Sequence, residues 1–166
     1  MATITLRGQT CHTNGELPAV GSTAPDFQLT KSDLSDVSLA DFAGKKKLIS
    51  IVPSLDTPVC AASTRTFNQH AEAHPESVIL VVSADLPFAQ GRFCSSENLD
   101  NVISLSMMRS RDFATDYGML IVDGPLAGVT GRAVLVLDEN NQVMFSQLIP
   151  EIAQEPDYQS ALAVLG

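Results

Sequence analysis

The sequence predicts an α/β fold: a mixed β-sheet flanked by helices, with an added β-hairpin at the N-terminus. Three observations carry that prediction. Apolar, β-branched runs alternate with helix-compatible stretches through the middle of the chain, the pattern of strand–helix–strand units. Towards the C-terminus, Ala133 to Leu137 and Val143 to Leu148 are joined by only Asp138-Glu139-Asn140-Asn141-Gln142. So short a connection makes a hairpin of antiparallel strands. A helix-compatible segment, Pro156 to Leu165, then closes the chain.

Taken in order, residues 1–12 read as the added hairpin. Thr3 to Leu6 suit a strand, Arg7-Gly8 a turn, and Gln9 to His12 a returning strand. Residues 13–26 hold Asn14-Gly15, Pro18, Gly21 and Pro25 and predict a loop. Phe27 to Thr30 is a short strand, and Ser38 to Phe42 a single helical turn ending near Gly44. Leu48 to Val52 is apolar throughout apart from Ser50, as in a strand buried on both faces, and Pro53 stops it. Cys60 to Ala73 is helix-compatible, and Val78 to Ser83 is a second buried strand between His74-Pro75 and Pro87. A helix through Phe88 to Phe93 and the strand Val102 to Leu105 follow, then a short helix from Asp112 to Tyr117 stopped by Gly118. The run Lys45-Lys46-Lys47 reads as a solvated turn before a buried strand.

The chain has 166 residues, 45% of them hydrophobic and 17% charged. Such a chain buries a core as one domain, 1–166, and is not disordered. The net charge of −9 makes nucleic-acid or anionic-membrane partners poor expectations, because like charges repel. No apolar run approaches the ~18 residues of a membrane span. The first residues lack a basic segment leading into an apolar run, so a secretory signal is not expected and a cytoplasmic location is the default. Three cysteines, Cys11, Cys60 and Cys94, are too few for a disulfide scaffold.

The segment Pro53-Ser54-Leu55-Asp56-Thr57-Pro58-Val59-Cys60 joins the end of a buried strand to the start of a helix. Ligands of open α/β sheets bind at the carboxyl ends of the strands. A cysteine in the first turn of a helix faces unpaired N–H groups and the positive end of the helix dipole, and both favour thiolate. Cys60 is therefore a candidate nucleophile; the alternative is an inert, buried small hydrophobe. A hydrolase would need a histidine base. His70 follows Cys60 on the same predicted helix at about 15 Å along its axis, and all three histidines read as surface or satisfied residues. No Cys-x-x-Cys occurs; Cys60 and Cys94 can pair only over distance, and Cys94 reads equally as a packed helix residue. Cys11 has no comparable setting. Metal-ligand spacing and phosphate-binding glycine turns are both missing from the pattern. Arg132 opens a buried strand and reads either as an edge arginine with its head in water or as a fixed cation for an anion.

The pattern Pro53-x-x-x-Thr57-x-x-Cys60 matches the active-site signature of the peroxiredoxins. Asp56 to Arg65, Ser83 to Cys94 and Gly131-Arg132-Ala133-Val134 resemble the thiol peroxidase subfamily, the atypical two-cysteine bacterial type. The resemblance covers nearly the whole chain. It implies a thioredoxin-like fold and a thiol-dependent peroxidase acting on hydrogen peroxide and on organic, alkyl and lipid hydroperoxides. By position, Cys60 would be the peroxidatic cysteine and Cys94 the resolving cysteine, closing an intramolecular disulfide. Thr57 would hydrogen-bond the peroxide, Pro53 would shield the site from water, and Arg132 would stabilise the thiolate. The resemblance also implies a homodimer recycled by thioredoxin, without metal or organic cofactor. Because the two cysteines lie on different predicted helices, local unwinding is expected when they join.

Overall fold

The computed structural model describes residues 1–166. The N-terminal hairpin pairs β1 (Thr3–Leu6) with β2 (Gln9–His12) in the register Thr3 to His12 and Leu6 to Gln9. Both turn residues take positive φ, Arg7 at 50° and Gly8 at 81°, the geometry that suits the twist of a two-residue hairpin. Glu151 fastens the hairpin to the body of the molecule: its carboxylate accepts from the Thr5 hydroxyl and from the Arg7 and Gly8 N–H groups. Those donors, the Thr5 hydroxyl foremost, hold its carboxyl down at about 2.

The main sheet has seven strands: β3 (Leu29–Thr30), β4 (Asp36–Val37), β5 (Lys47–Ile51), β6 (Val78–Ser83), β7 (Ile103–Ser106), β8 (Ala133–Leu137) and β9 (Val143–Leu148). Their spatial order is β4-β3-β7-β6-β5-β8-β9. Strands β5, β6 and β7 are parallel, while β3, β8 and β9 pair antiparallel to their neighbours. The sheet is mixed, as the sequence predicts. Four helices accompany it: α1 (Pro58–Ala73), α2 (Pro87–Ser96), α3 (Asp112–Asp116) and α4 (Tyr158–Leu165). A 3-10 turn, Leu39–Phe42, stands where the single helical turn is predicted.

Side chains alternate across the strands, and the two faces carry separate cores. Ile49, Ile51, Leu80, Val82, Leu135 and Leu137 point to one face, with Phe113 of α3. Leu48, Val52, Ile79, Val81, Val134 and Val136 point to the other, with Cys60 and Phe67 of α1 and Ala161 and Leu165 of α4. Phe67 meets the ring of Tyr158 edge-on at 5.4 Å, which locks α1 to α4 across this second face.

Several boundaries move for identifiable reasons. Helix α1 begins at Pro58 rather than Cys60, because proline suits the first helical position, where its missing N–H costs nothing. Helix α2 likewise starts at Pro87. Helix α4 starts at Tyr158, two residues late, because Asp157 caps it by accepting from the Ser160 N–H. Strand β4 has only two residues and too little pattern to be read.

Lys47 departs from the solvated turn expected of the Lys45–Lys47 run. It is the first residue of β5 and fully buried, set between Val78 and Leu137 of the neighbouring strands. Its ammonium donates to Asn141 Oδ1 at 2.6 Å and to the Asp138 carbonyl at 3.4 Å. The β8–β9 turn thus supplies the polar partners that a buried lysine needs. Burial lowers its pKa, against the opposing charges of Asp138 and Glu139.

Candidate active site

Strand β5 delivers the chain to Pro53, which is buried, and residues 53–57 form a tight loop leading into α1. Thr57 is the N-cap residue in extended conformation, and its hydroxyl donates to the Ser54 carbonyl at 3.0 Å instead of capping the helix. The helical ladder starts with the Ala61 N–H on the Thr57 carbonyl at 3.0 Å. The N–H groups of Val59 and Cys60 precede that bond and stand at the positive end of a sixteen-residue helix. Cys60 therefore sits in the first turn, as the sequence predicts.

The Cys60 side chain is 0% exposed and packs into the core of the second sheet face. The hydroxyls of Ser63 and Thr64 donate to its carbonyl at 3.0 and 2.7 Å. A cavity of about 580 Å³ opens beside the loop, with Ser54, Leu55, Thr57 and Pro58 on one side and Ala89 and Phe93 of α2 on the other. Ala61 also lines it, so the cavity reaches residues on either side of Cys60 in the first turn.

Register places Arg132. Ile51 pairs with Ala133, so Arg132 stands level with Val52, where the loop begins. Period-two alternation puts its side chain on the face of Val134 and Val136, the face that holds Cys60. It is 3% exposed, which decides against the arginine with its head in water. Nε donates to the Ile152 carbonyl at 2.8 Å, while Nη1 is buried without a partner. An unmatched buried donor on a fixed cation is costly, by about 1–3 kcal/mol or more, and it invites an anion. Burial and the bond to Glu155 push the Tyr158 hydroxyl up, offset in part by a hydrogen bond with Thr66 and, less, by the charge of Arg132.

Cys94 lies on α2, half-buried, and packs against the same core as Cys60. It lines a different cavity, of about 540 Å³, with Gly91, Ser95, Lys31 and Ser104. Phe93, its neighbour, faces the cavity beside the Cys60 loop. Helix α2 thus presents its cysteine to another side than the one turned towards that loop. Burial pushes the Cys94 thiol up, only partly offset by a hydrogen bond with Ser104. All three cysteines are free thiols, and Cys11 is buried beneath the N-terminal hairpin with Ile4, Ile121 and Ile152.

Two of the histidines fit the expectation of surface or satisfied residues: His12 binds Asp123 and His74 binds Glu76. His70 does not. Its Nε2 is buried without a partner, and its ring stacks on His74 at 4.2 Å. Burial, and then the nearby His74, lower its pKa.

Sequence reading missed Asp85. Its carboxylate holds the loop before Cys60, accepting from the Ser54 hydroxyl at 2.7 Å and the Leu55 N–H at 2.8 Å. The available signal was a serine and an aspartate, Ser83 and Asp85, at the carboxyl end of a central strand, where sites of such sheets form.

Comparison with known proteins agrees with this geometry. The Redoxin family model matches residues 19–162. A thiol peroxidase from Mycobacterium bovis is 54% identical over 166 residues, covering 100% of this chain and 99% of the relative. Among solved structures, a peroxiredoxin-like protein from Aquifex aeolicus superimposes with a TM-score of 0.90 at 38% identity, covering 99% of this chain and 96% of that one. A thiol peroxidase from Chromobacterium violaceum gives 0.91 at 26% identity, covering 98% and 94%.

Proposed function

The chain belongs to the Redoxin family and, within it, to the thiol peroxidases, and from that premise we propose that Cys60 is the atom-transfer centre and Cys94 its resolving partner. The thioredoxin-like mixed sheet and the peroxidase activity belong to the family. The observation that carries it is the buried, unpartnered Nη1 of Arg132, on the sheet face that holds Cys60.

In this reading the Cys60 thiolate attacks one oxygen of a hydroperoxide in line with the O–O bond. The S–O bond forms and the O–O bond breaks. The departing oxygen takes a proton from solvent and leaves as water or an alcohol, and Cys60 becomes a sulfenic acid. Arg132 Nη1 and the N–H groups of the first turn of α1 are the donors for the developing charge, and the Thr57 hydroxyl joins them by turning its one proton away from the Ser54 carbonyl. Preorganised donors of this kind are often the largest catalytic contribution, and arginine suits the task because its planar fork stays charged. The buried ring of Pro53 closes the loop against water.

Cys94 then attacks the sulfenic sulfur, releasing water and closing the disulfide. A disulfide needs Cα atoms within roughly 7 Å and Cβ vectors that converge. Cys60 and Cys94 are free thiols on different helices, and Cys94 lines a cavity other than the one beside the Cys60 loop, so in this reading the Cys94 segment, the Cys60 segment or both unwind. An external dithiol, for which thioredoxin is proposed, reduces the disulfide by exchange and restores both thiols. Sulfur carries both electrons, so no metal or organic cofactor is required. Hydrogen peroxide and alkyl or lipid hydroperoxides are the proposed substrates, a homodimer the proposed assembly and the cytoplasm the proposed location. No helix is long and apolar enough to cross a membrane.

Stopped-flow peroxide consumption tests the assignment. Cys60→Ser is expected to remove consumption altogether. Cys94→Ser is expected to form the sulfenic acid once and then stall with thioredoxin. Sustained turnover by Cys60→Ser overturns the reading. Sedimentation equilibrium checks the dimer.

A further inference from the structure

The bonds that hold the loop before Cys60 belong to one polar cluster, and that cluster reaches the helix carrying Cys94. Asp85 is its centre. One carboxylate oxygen accepts from the Ser54 hydroxyl at 2.7 Å. The other accepts from the Leu55 N–H at 2.8 Å and from the Ser83 hydroxyl at 2.7 Å. Ser83 is fully buried at the end of β6, and its oxygen accepts from Gln90 Nε2 at 2.9 Å. The same nitrogen donates to the Leu105 carbonyl of β7 at 2.9 Å. Gln90 is fully buried and, with Pro87, one of the two buried residues of α2. It stands one helical turn before Cys94.

Hydrogen bonds to a carboxylate are roughly twice as strong as neutral ones, and this carboxylate takes three. Unwinding of the loop strips Ser54 and Leu55 from Asp85. Unwinding of α2 strips Gln90 from Ser83. Both openings break bonds to the same Ser83–Asp85 pair, so loosening at one end weakens the hold on the other.

We propose that Asp85 is the positioning residue that keeps the Cys60 loop and the Cys94 helix folded together, and so sets how Cys60 divides its time between attack on peroxide and disulfide formation. This inference rests on the roles of Cys60 and Cys94 proposed above.

The test is single-turnover rapid-quench kinetics on the full-length protein, with peroxide loss and disulfide formation followed separately, in wild type, Asp85→Ala, Asp85→Asn, Ser54→Ala and Cys60→Ser. Displacement of catalytic groups by about 1 Å costs on the order of 10²-fold. Asp85→Ala is accordingly expected to slow the peroxide step at least about tenfold while disulfide formation accelerates. Asp85→Asn, whose amide oxygen can still accept from the Leu55 N–H, is expected between Asp85→Ala and wild type. Ser54→Ala, which leaves Leu55 and Ser83 on the carboxylate, is expected to move both steps in the same directions by less. A purely structural role predicts both steps unchanged, or both slowed together with the urea midpoint, and either result overturns the inference. If Asp85→Ala does not fold, opposite shifts of the two steps in Ser54→Ala support it and parallel or absent shifts overturn it. Peroxide loss retained by Cys60→Ser removes the premise as well; its loss, with wild-type partitioning in the other variants, overturns the positioning role alone.

Discussion

Helices α1 and α2 carry Cys60 and Cys94, and they are held in place by different forces. Helix α1 has sixteen residues and buries seven of them, among them Cys60 and the fully enclosed Phe67. Helix α2 has ten and buries two, Pro87 and Gln90, with Gly91 in its middle. Full burial of a large apolar side chain contributes about 1.5–3 kcal/mol, whereas a neutral hydrogen bond contributes about 0.5–1.5 kcal/mol net. The first helix is anchored chiefly by the enclosed Phe67, and the second by the bonds of the Gln90 amide together with half-buried Phe93 and Cys94 against the same core. Segments with few buried apolar contacts open locally at low cost. This difference suits the proposed reaction, which first needs a rigid donor set around Cys60 and then an opening that brings Cys94 to it.

The sharpest way to break this contrast is Arg132→Met. The arginine lies on the sheet face that packs Cys60, Phe93 and Cys94, but its hydrogen bond goes to the Ile152 carbonyl and not to α2, so the variant is expected to slow the peroxide step about 10²–10³-fold and to leave the disulfide step alone. Rapid-quench analysis separates the two; slowing of both would mean that the cation serves the whole cycle. Next in size is a pair of truncations read by urea unfolding. Phe67→Ala in α1 should cost about 3–5 kcal/mol, and Phe93→Ala in α2, where the ring is only half-buried, less than half of that. Equal losses would abolish the distinction in anchoring. The smallest expected effect is Gly91→Ala. Its Cβ would meet Ser32 Cβ at 3.3 Å, a contact relieved by a backbone shift of a few tenths of an ångström in the exposed turn at Ser32. Alanine favours a helix over glycine by about 0.5–1 kcal/mol, so disulfide formation should slow by up to about fivefold and amide exchange in α2 should slow with it. Faster disulfide formation would show that α2 does not need to open.

Much of this was legible because it is local. The buried strands β5, β6 and β8 announce themselves by apolar runs, and the β8–β9 hairpin by its short polar connection. The place of Cys60 in the first turn of a helix follows from a strand, two prolines and a helix-compatible run. The Lys45–Lys47 run misled, because charge alone does not reveal that Asn141 waits in the β8–β9 turn to bind Lys47. Asp85 was passed over because its partners, Ser54 and Leu55, lie some thirty residues away in the chain. Local pattern carries no information about such a pair. The two-residue β4 was too short to show a period at all.

From its amino acids alone the chain determined most of its elements, their order and the place of Cys60 at a helix start, since these depend on neighbours within a few residues. Strand register and helix rotation decided the remainder. The pairing of Ile51 with Ala133 brings Arg132 level with the Cys60 loop, and the turn of α2 puts Phe93, not Cys94, in that loop's cavity. Shifting a strand by one residue or rotating a helix by one position (about 100°) would undo either arrangement. Such offsets are settled only when the two faces of the sheet pack.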